Sequence, residues 1–494
     1  MAPASLSAFE LVLAEGNGTL YLTSLYDYNV GRNSDGKLDP TQGFATAWTA
    51  NADSTVWTIK VRTDIVFHNG DKATSRDITG NITRTMAEGS KRFSTFKRDI
   101  AKMENPDDQT FVMTLVKRNI FPPTFGNASL LEPNDYITAK GPDVANRTGI
   151  GSGPYKFKSL VLDDRITTEA VDRHWRYGVP RTKTLVFRLI PEETTRIALL
   201  QSGELDWTQV SRANSATVKN AKDLRLINQD ESGITTFRLE GQYVQEYPGS
   251  GKNPMSDVRV RKALTWYGMD REKLARTFLQ GAGTPTMAYP VTGGDPAYVA
   301  LPVPAYDLEK AKALLREAGF EKGFELDLYI WPRPALPEGP QMMEQIAVWW
   351  ETLGLKVNRK PSEYAAWRDA LSANASKPTG SYTRPSASGM YFLGNSPETR
   401  AATGTGSNCT PPFSFFLATR SQNLCDLGKV WENSNNEAEY IANGKVWMAA
   451  KYDLAEDPVI STVGELFGVG PRIPAKWEPG RSGYALDKAA AVRY

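Results

Sequence analysis

Cysteine and histidine are both scarce: the 494 residues hold two of each, Cys409 and Cys425, His68 and His174. Two histidines leave little from which to assemble a metal centre or an imidazole base. His68 sits in Phe67-His68-Asn69-Gly70, where Asn-Gly signals a hairpin turn, and His174 is enclosed by Arg173, Trp175 and Arg176. Both therefore read as structural or surface residues. No H-E-x-x-H, no paired C-x-x-C and no G-x-S-x-G elbow occurs, and Gly249-Ser250-Gly251-Lys252 imitates a phosphate loop without its leading glycine. Acidic residues number 56, yet no spacing sets one pair apart as the acid and base of a glycosidase. The chain reads as non-enzymatic, with no cofactor and no metal.

Charge of one sign is missing too. Lysine plus arginine, 58, nearly balances aspartate plus glutamate, 56, so no global field favours nucleic acid or an anionic membrane surface. No run of eighteen apolar residues exists to form a spanning helix. The opening MAPASLSAFELVLAEGNG lacks the basic start and apolar core of a signal peptide, so the expectation is either a cytosolic chain or a mature form behind an added methionine.

What is present describes a folded protein. With 40% hydrophobic and 23% charged residues the chain should fold throughout, and its length suits two or three structural units. The two cysteines lie 16 positions apart in a loop-rich stretch with Asn408, Pro411 and Pro412. That separation suits a disulfide, which would contribute about 3 kcal/mol and is useful only in an oxidising compartment; two free thiols are the alternative.

The first third reads as strands, Val56 to Val61 and Phe111 to Leu115, around a helix over Ile78 to Met86 opened by Thr74 and Asp77 as reciprocal caps. Lys156 to Arg188 is strand-rich and leads into a helix from Glu192 to Gly203; Leu205-Asp206-Trp207 and Leu224 to Ile227 read as short strands around a polar helical stretch. Helices dominate later, at Val258 to Tyr267, Arg271 to Gln280, Leu308 to Ala318 and Pro340 to Leu353. With the strands Glu325 to Ile330 and Leu355 to Val357, the last of these makes a βαβ unit. Residues 376–429 read as a long internal loop, and helical sequence resumes from Lys429 to Leu454.

Several stretches, in order, carry a resemblance. Leu25-Tyr26-Asp27-Tyr28 is followed by Gly36-Lys37-Leu38-Asp39-Pro40 and Ala45-Thr46-Ala47-Trp48. Trp57 to Arg62, Val66 to Asp71 and Thr74 to Ile78 form the most specific stretch. Then come Gly151-Ser152-Gly153-Pro154-Tyr155, Gln201-Ser202-Gly203-Glu204-Leu205-Asp206, Asp257 to Leu264 with Met269-Asp270-Arg271, and Tyr306 to Gly319. Together they resemble the extracytoplasmic solute-binding proteins of ABC importers, family 5, which take up oligopeptides, dipeptides, nickel chelates and some sugar conjugates. Most of these motifs read as scaffold: Gly151 and Gly153 for a tight turn before a strand, Asp257 and Asp270 for helix starts.

The resemblance implies an α/β fold of the periplasmic-binding-protein type II class, bilobal with an extra N-terminal subdomain (cluster C). It implies lobe I from 1–43, 155–245 and 468–494, an inserted lobe II over 44–154, and lobe III over 246–467, with strands crossing between lobes near Gly241 to Gln245 and Phe467 to Pro471. It further implies a monomer, outside the cytoplasm, that encloses a small solute or peptide and hands it to transmembrane permease subunits. Peptide-binding members carry an acidic residue where this chain reads Gly380 to Leu393 without aspartate, and Arg384 occupies that neighbourhood. A guanidinium repels an ammonium and offers a fork to carboxylate or phosphate, so an anionic or sugar-like ligand is expected over a free peptide. The expected ligand contacts are Tyr26, Tyr28, Phe121 and Phe125 on one side, and Trp331, Arg333, Tyr382, Arg384, Ser386 and Tyr391 on the other. A secreted glycoside hydrolase, or a peptide-binding chaperone or signalling receptor on the same fold, are the alternatives.

Overall fold

The computed structural model describes residues 19–33, 38–86, 99–121, 123, 130–240, 246–247, 251–287, 298–332, 336–362, 367, 385–393, 421–456 and 458–475. It divides into two units. The first comprises Met1–Thr208, Pro397–Thr403 and Val469–Tyr494, the second Gln209–Ser396 and Gly404–Gly468. Among the described residues the chain therefore passes between units at Thr208/Gln209 and at Gly468/Val469. The crossings expected from the resemblance are near 241–245 and 467–471, of which 241–245 lie outside the described residues.

The first unit holds two antiparallel sheets. Strands β1 (Ala45–Ala50), β2 (Val56–Val61), β3 (Ile100–Asp107) and β4 (Thr110–Leu115) lie in the order β1-β2-β4-β3. Alternation explains the central pair: Trp57, Ile59 and Val61 point inward with Phe111 and Met113, meeting Ile78 and Ile82 of the helix Ser75–Met86. That helix starts differently from expectation. The Asp77 carboxylate accepts from the Thr74 backbone N–H at 2.7 Å, and the Thr74 hydroxyl donates to the same carboxylate. The return bond to the Asp77 N–H comes from the Thr74 carbonyl, at 3.0 Å, so the box is closed on one side only. Strands β5 (Tyr155–Val161), β6 (Arg165–Ala170) and β7 (Thr184–Arg188) form a meander.

The second unit is built on a six-stranded sheet. Its strands are β8 (Trp207–Gln209), β9 (Arg225–Glu240), β12 (Glu325–Ile330), β13 (Lys356–Pro361), β14 (Ser386–Leu393) and β15 (Val459–Val469), in the order β13-β12-β14-β9-β15-β8. A separate ribbon joins β10 (Glu246–Tyr247) to β11 (Gly251–Lys252). The parallel pair β12 and β13 is bridged by the helix Gly339–Thr352, which gives the βαβ unit read from the sequence. Leu326, Leu328 and Ile330 face Met342, Met343, Ile346, Ala347 and Trp350, in one core with Leu264, Leu274 and Leu315. Asp257, Asp270 and Asp307 each accept a backbone N–H at a helix start.

Three elements differ from the sequence reading. The 376–429 stretch is not all loop, because β14 lies within it, antiparallel to β9 and parallel to β12. Ser386-Ala387-Ser388-Gly389 has little intrinsic strand preference; two paired neighbours supply what propensity does not. β9 is 16 residues long rather than a short strand. The helical stretch after Lys429 is broken: Gln422–Glu432 and Glu437–Asp453 are separate helices, the second capped by Asn436, whose side chain accepts from the Glu439 N–H.

Gly151 and Gly153 serve close approach rather than a turn. A Cβ at Gly151 would stand 2.0 Å from the Leu25 carbonyl oxygen, and one at Gly153 2.5 Å from that of Ser24. Cys425 is buried and disulfide-bonded; Cys409 lies outside the described residues.

Trp350 is fully buried and donates its indole N–H to the Leu264 carbonyl at 3.0 Å, so it ties the βαβ helix to its neighbour. Trp350→Ala opens a large cavity and strands that carbonyl. The expected loss is about 3–5 kcal/mol, read as a lowered midpoint in urea unfolding with the sheet's far-ultraviolet signal retained before the transition.

Candidate functional site

The charged centre of the first unit is a residue the sequence reading passed over. Between the two nominated tyrosines, Asp27 is 4% exposed. Its carboxylate accepts from Ser152 Oγ at 3.0 Å and Trp175 Nε1 at 2.8 Å, and His174 Nε2 lies 3.2 Å away. The Nδ1 of His174 accepts from the backbone N–H of Arg176 and of Tyr177, at 3.2 and 3.3 Å. That assigns the proton to Nε2, which donates to Asp27. Burial by itself would raise the Asp27 pKa, but His174, Arg176 and Trp175 together outweigh it and hold the carboxyl below its ordinary range.

Above this network the surface is cationic and aromatic. The Arg62 guanidinium lies 3.6 Å from the centre of the Trp175 ring, and that of Arg176 lies 3.9 Å from the Tyr177 ring. Arg176 is anchored by Nη1 donating to the Gln42 carbonyl at 2.8 Å, and Arg62 by two bonds to Asp64. These residues line an open groove of about 710 Å³ with Pro40, Thr41, Gln42 and Thr46. Among the described residues, none of the ligand contacts expected from the sequence lines it.

His68 is also a strut. Its Nδ1 accepts from the Gly151 N–H at 3.3 Å and its Nε2 donates to the Gly153 carbonyl at 3.0 Å, while Gly70, at φ +93°, closes the hairpin expected there. Both imidazoles thus have both ring nitrogens engaged. Neither is placed to take a proton from a substrate, and among the described residues no group of three His, Cys, Asp or Glu is arranged to hold a metal ion.

The nominated residues fall as follows. Tyr26 is buried with Leu22, Leu25, Leu130 and Ile166, and Tyr28 is half-buried against the same cluster. Phe121 is 8% exposed, its N–H donating to Asn119 Oδ1. Trp331 stands just past the carboxyl end of β12, 7% exposed, its ring 5.2 Å from that of Trp367. Ser386 opens β14, 4% exposed, opposite Asp327 on one side and Glu240 on the other. Tyr391 lies on the same strand, paired with Thr235. Phe125, Arg333, Tyr382 and Arg384 lie outside the described residues, as does the side chain of Tyr391. The structure thus places Ser386 and Tyr391 on one strand and Trp331 just past the end of the neighbouring one.

Sequence reasoning also missed the buried polar row on that sheet. Arg238, 8% exposed, pairs in register with Ser388, fully buried, which in turn pairs with Tyr329. The signal was available: Arg238 stands between Phe237 and Leu239, so alternation places it on the face opposite Leu239, which packs in the core.

Comparison with known proteins gives the family. The profile of the bacterial extracellular solute-binding proteins, family 5, matches residues 39–399, and the chain belongs to that family. It is similar to the dipeptide-binding protein of Escherichia coli K12, 27% identical over 355 residues, covering 65% of this chain and 63% of that protein. The matched region thus spans less than two thirds of that relative. Among solved structures, the dipeptide-binding protein of Pseudoalteromonas sp. SM9913 in complex with Met-Leu superposes with a TM-score of 0.81 at 18% identity, covering 98% of this chain and 96% of that one. The binding protein AgaA of A. tumefaciens R10, in complex with agropinic acid, does so with a TM-score of 0.79 at 20% identity, covering 98% and 95%. These likenesses show the fold, the α/β architecture of the family's periplasmic binding proteins, as the resemblance implied.

Two titratable groups beside this scaffold, the half-buried His68 and the buried Asp77, pull in opposite directions with pH. Burial lowers the His68 pKa from 6.5 to about 4. Burial likewise raises that of Asp77 from 3.8 to about 6, against the N–H donors of Thr74 and Asn134. His68 contributes stability that is present above 6.5 and lost as pH falls toward 4; Asp77 contributes stability that is present below 3.8 and lost as pH rises toward 6. In the parent protein the two slopes nearly cancel across that window. His68→Gln should leave stability falling as pH rises from 4 to 6, and Asp77→Asn should leave it rising, each by up to about 1.4 kcal/mol per pH unit in urea titrations.

Proposed function

We propose that this protein is the substrate-binding receptor of an ABC importer, working outside the cytoplasm and delivering a small polar solute to membrane permease subunits. Family membership supports this, together with two imidazoles whose ring nitrogens are all engaged by the protein itself. We further propose the three-lobe partition of 1–43 with 155–245 and 468–494, 44–154, and 246–467, with the ligand enclosed by closure. Closure of this kind works by population shift, since ligand moves the equilibrium only as far as it favours the closed state.

The observation that carries the ligand assignment is the charge of the segment that leads into β14. Ser386 opens this central strand opposite Asp327, toward the amino end of the parallel β12, whereas Trp331 stands past the carboxyl end of β12. Arg384 precedes Ser386 by two residues in the sequence, at the segment where peptide-binding members carry an acid. The ligand is therefore an anionic or sugar-like solute in preference to a peptide with a free amino group. Tyr26, Tyr28, Phe121, Phe125, Trp331, Arg333, Tyr382, Ser386 and Tyr391 are proposed to complete its surroundings.

Native mass spectrometry of the purified protein should reveal a retained anionic small molecule. Adding that molecule should raise the melting temperature, and Arg384→Ala should weaken its binding by at least about tenfold in calorimetry, the loss of one charge-assisted bond. Unchanged affinity in Arg384→Ala, or preferential binding of free-amine dipeptides, would remove the assignment.

A further inference from the structure

Four segments distant in sequence meet at one buried ion pair. Arg212, 2% exposed, is the first residue of the helix Arg212–Lys219, and Glu338, 6% exposed, immediately precedes the helix Gly339–Thr352. The Glu338 carboxylate accepts from the Arg212 backbone N–H at 2.6 Å and from Nη1 at 3.4 Å, while Nη2 donates to the Gly464 carbonyl of β15. The Arg212 carbonyl accepts from Gln280 Nε2 at 2.6 Å, and Gln280 Oε1 accepts from Ser215 Oγ at 3.2 Å. Gln280 makes these bonds from a left-handed backbone, φ +49°, which a residue with a Cβ adopts at a cost.

All four segments belong to the second unit, but the proposed three-lobe partition divides them. Arg212 and Ser215 fall in its lobe I, whereas Gln280, Glu338 and Gly464 fall in its lobe III. Each of these bonds therefore runs from one proposed lobe to the other. The chemistry suits a contact that parts. An apolar interface would reward closure whether or not ligand were present. A buried ion pair does not: withdrawing both charges from water offsets most of what their attraction and hydrogen bonds return, so the made and broken states lie close in free energy. Strain at Gln280 narrows the gap further, because parting the contact releases it. Such a contact leaves the balance to the ligand.

We propose that Arg212, Ser215, Gln280 and Glu338 form a latch between lobes I and III that holds the ligand-free protein partly closed. They are positioning residues, none of them among the proposed ligand contacts, and they act by setting the free energy of closure. The latch deepens the receptor reading and rests on its partition and closure, but its test uses no ligand, so a receptor that retained no solute would leave it standing.

Nitroxide labels at Val179→Cys and Glu309→Cys, exposed positions of lobe I and lobe III, report the distance between lobes in ligand-free protein by pulsed electron double resonance. Arg212→Met, which leaves the Glu338 carboxylate without its partner, should raise the ratio of longer- to shorter-distance populations at least about tenfold. Arg212→Met combined with Glu338→Gln should reverse most of that shift, because no lone charge remains and the amide oxygen still accepts the backbone N–H of residue 212. Gln280→Ala, at an exposed position that takes no volume from the core, removes two bonds and should raise the ratio about three- to tenfold. Arg359→Ala, which breaks ion pairs to Glu344 and Glu351 within lobe III, should leave the distances unmoved. Distances unmoved in Arg212→Met or in Gln280→Ala, a shift in Arg212→Met that the double variant does not reverse, or an equal shift in Arg359→Ala would each overturn the latch. Should Arg212→Met fail to fold, Gln280→Ala decides.

Discussion

An ionised carboxylate taken out of water is tolerated only where donors surround it, and Asp27 imposes that condition on much of the first unit. Its donors come from Ser152 and from His174 with Trp175, separated from it by 125, 147 and 148 positions. To bring Ser152 within reach, the chain on either side must lie against the backbone of Ser24 and Leu25, which is why no Cβ fits at Gly151 or Gly153. The same two glycines then offer their N–H and carbonyl to His68, so the hairpin around Gly70 is referenced to the carboxylate as well. Trp175, fixed by its bond to Asp27, in turn provides the face on which Arg62 lies. The separate motifs of the sequence are parts of one electrostatic requirement.

This explains what was legible and what was not. Periodic features were legible because they are local: the alternation of β2 and β4, the aspartate caps at Asp257 and Asp270, and the apolar face of the βαβ helix each follow from a few adjacent residues. The role of Asp27 was hidden because nothing within ten residues reveals that it is buried, and its neighbours Tyr26 and Tyr28 drew attention instead. β14 was hidden for a related reason. Ser386-Ala387-Ser388-Gly389 resembles a loop in composition, and only its place between β12 and β9 makes it a strand.

Aromatic residues show the same ambiguity at the candidate ligand positions. Large apolar area suits a core and a ligand wall equally, so Tyr26, buried among Leu22, Leu25 and Leu130, and Trp331, against Trp367, satisfy the packing argument in full. Burial in the absence of ligand is no measure of contact with it. Polar residues on the same sheet are more tightly constrained, because each buried donor or acceptor demands a partner, as in the row Tyr329, Ser388 and Arg238.

The framework of the second unit is carried by the pairing of its strands. The register of β14 is set by Asp327 and Glu240 opposite Ser386, and by the pairs that follow as far as Gly233 opposite Leu393. β13 ends at Pro361, but the Ser362 N–H still donates to the Ile330 carbonyl and the Asp327 N–H donates to that of Pro385, so the chain is tied to β12 both on leaving β13 and on entering β14. A scaffold shared with dipeptide- and agropinic acid-binding proteins at 18–20% identity shows how much change in sequence such paired strands tolerate.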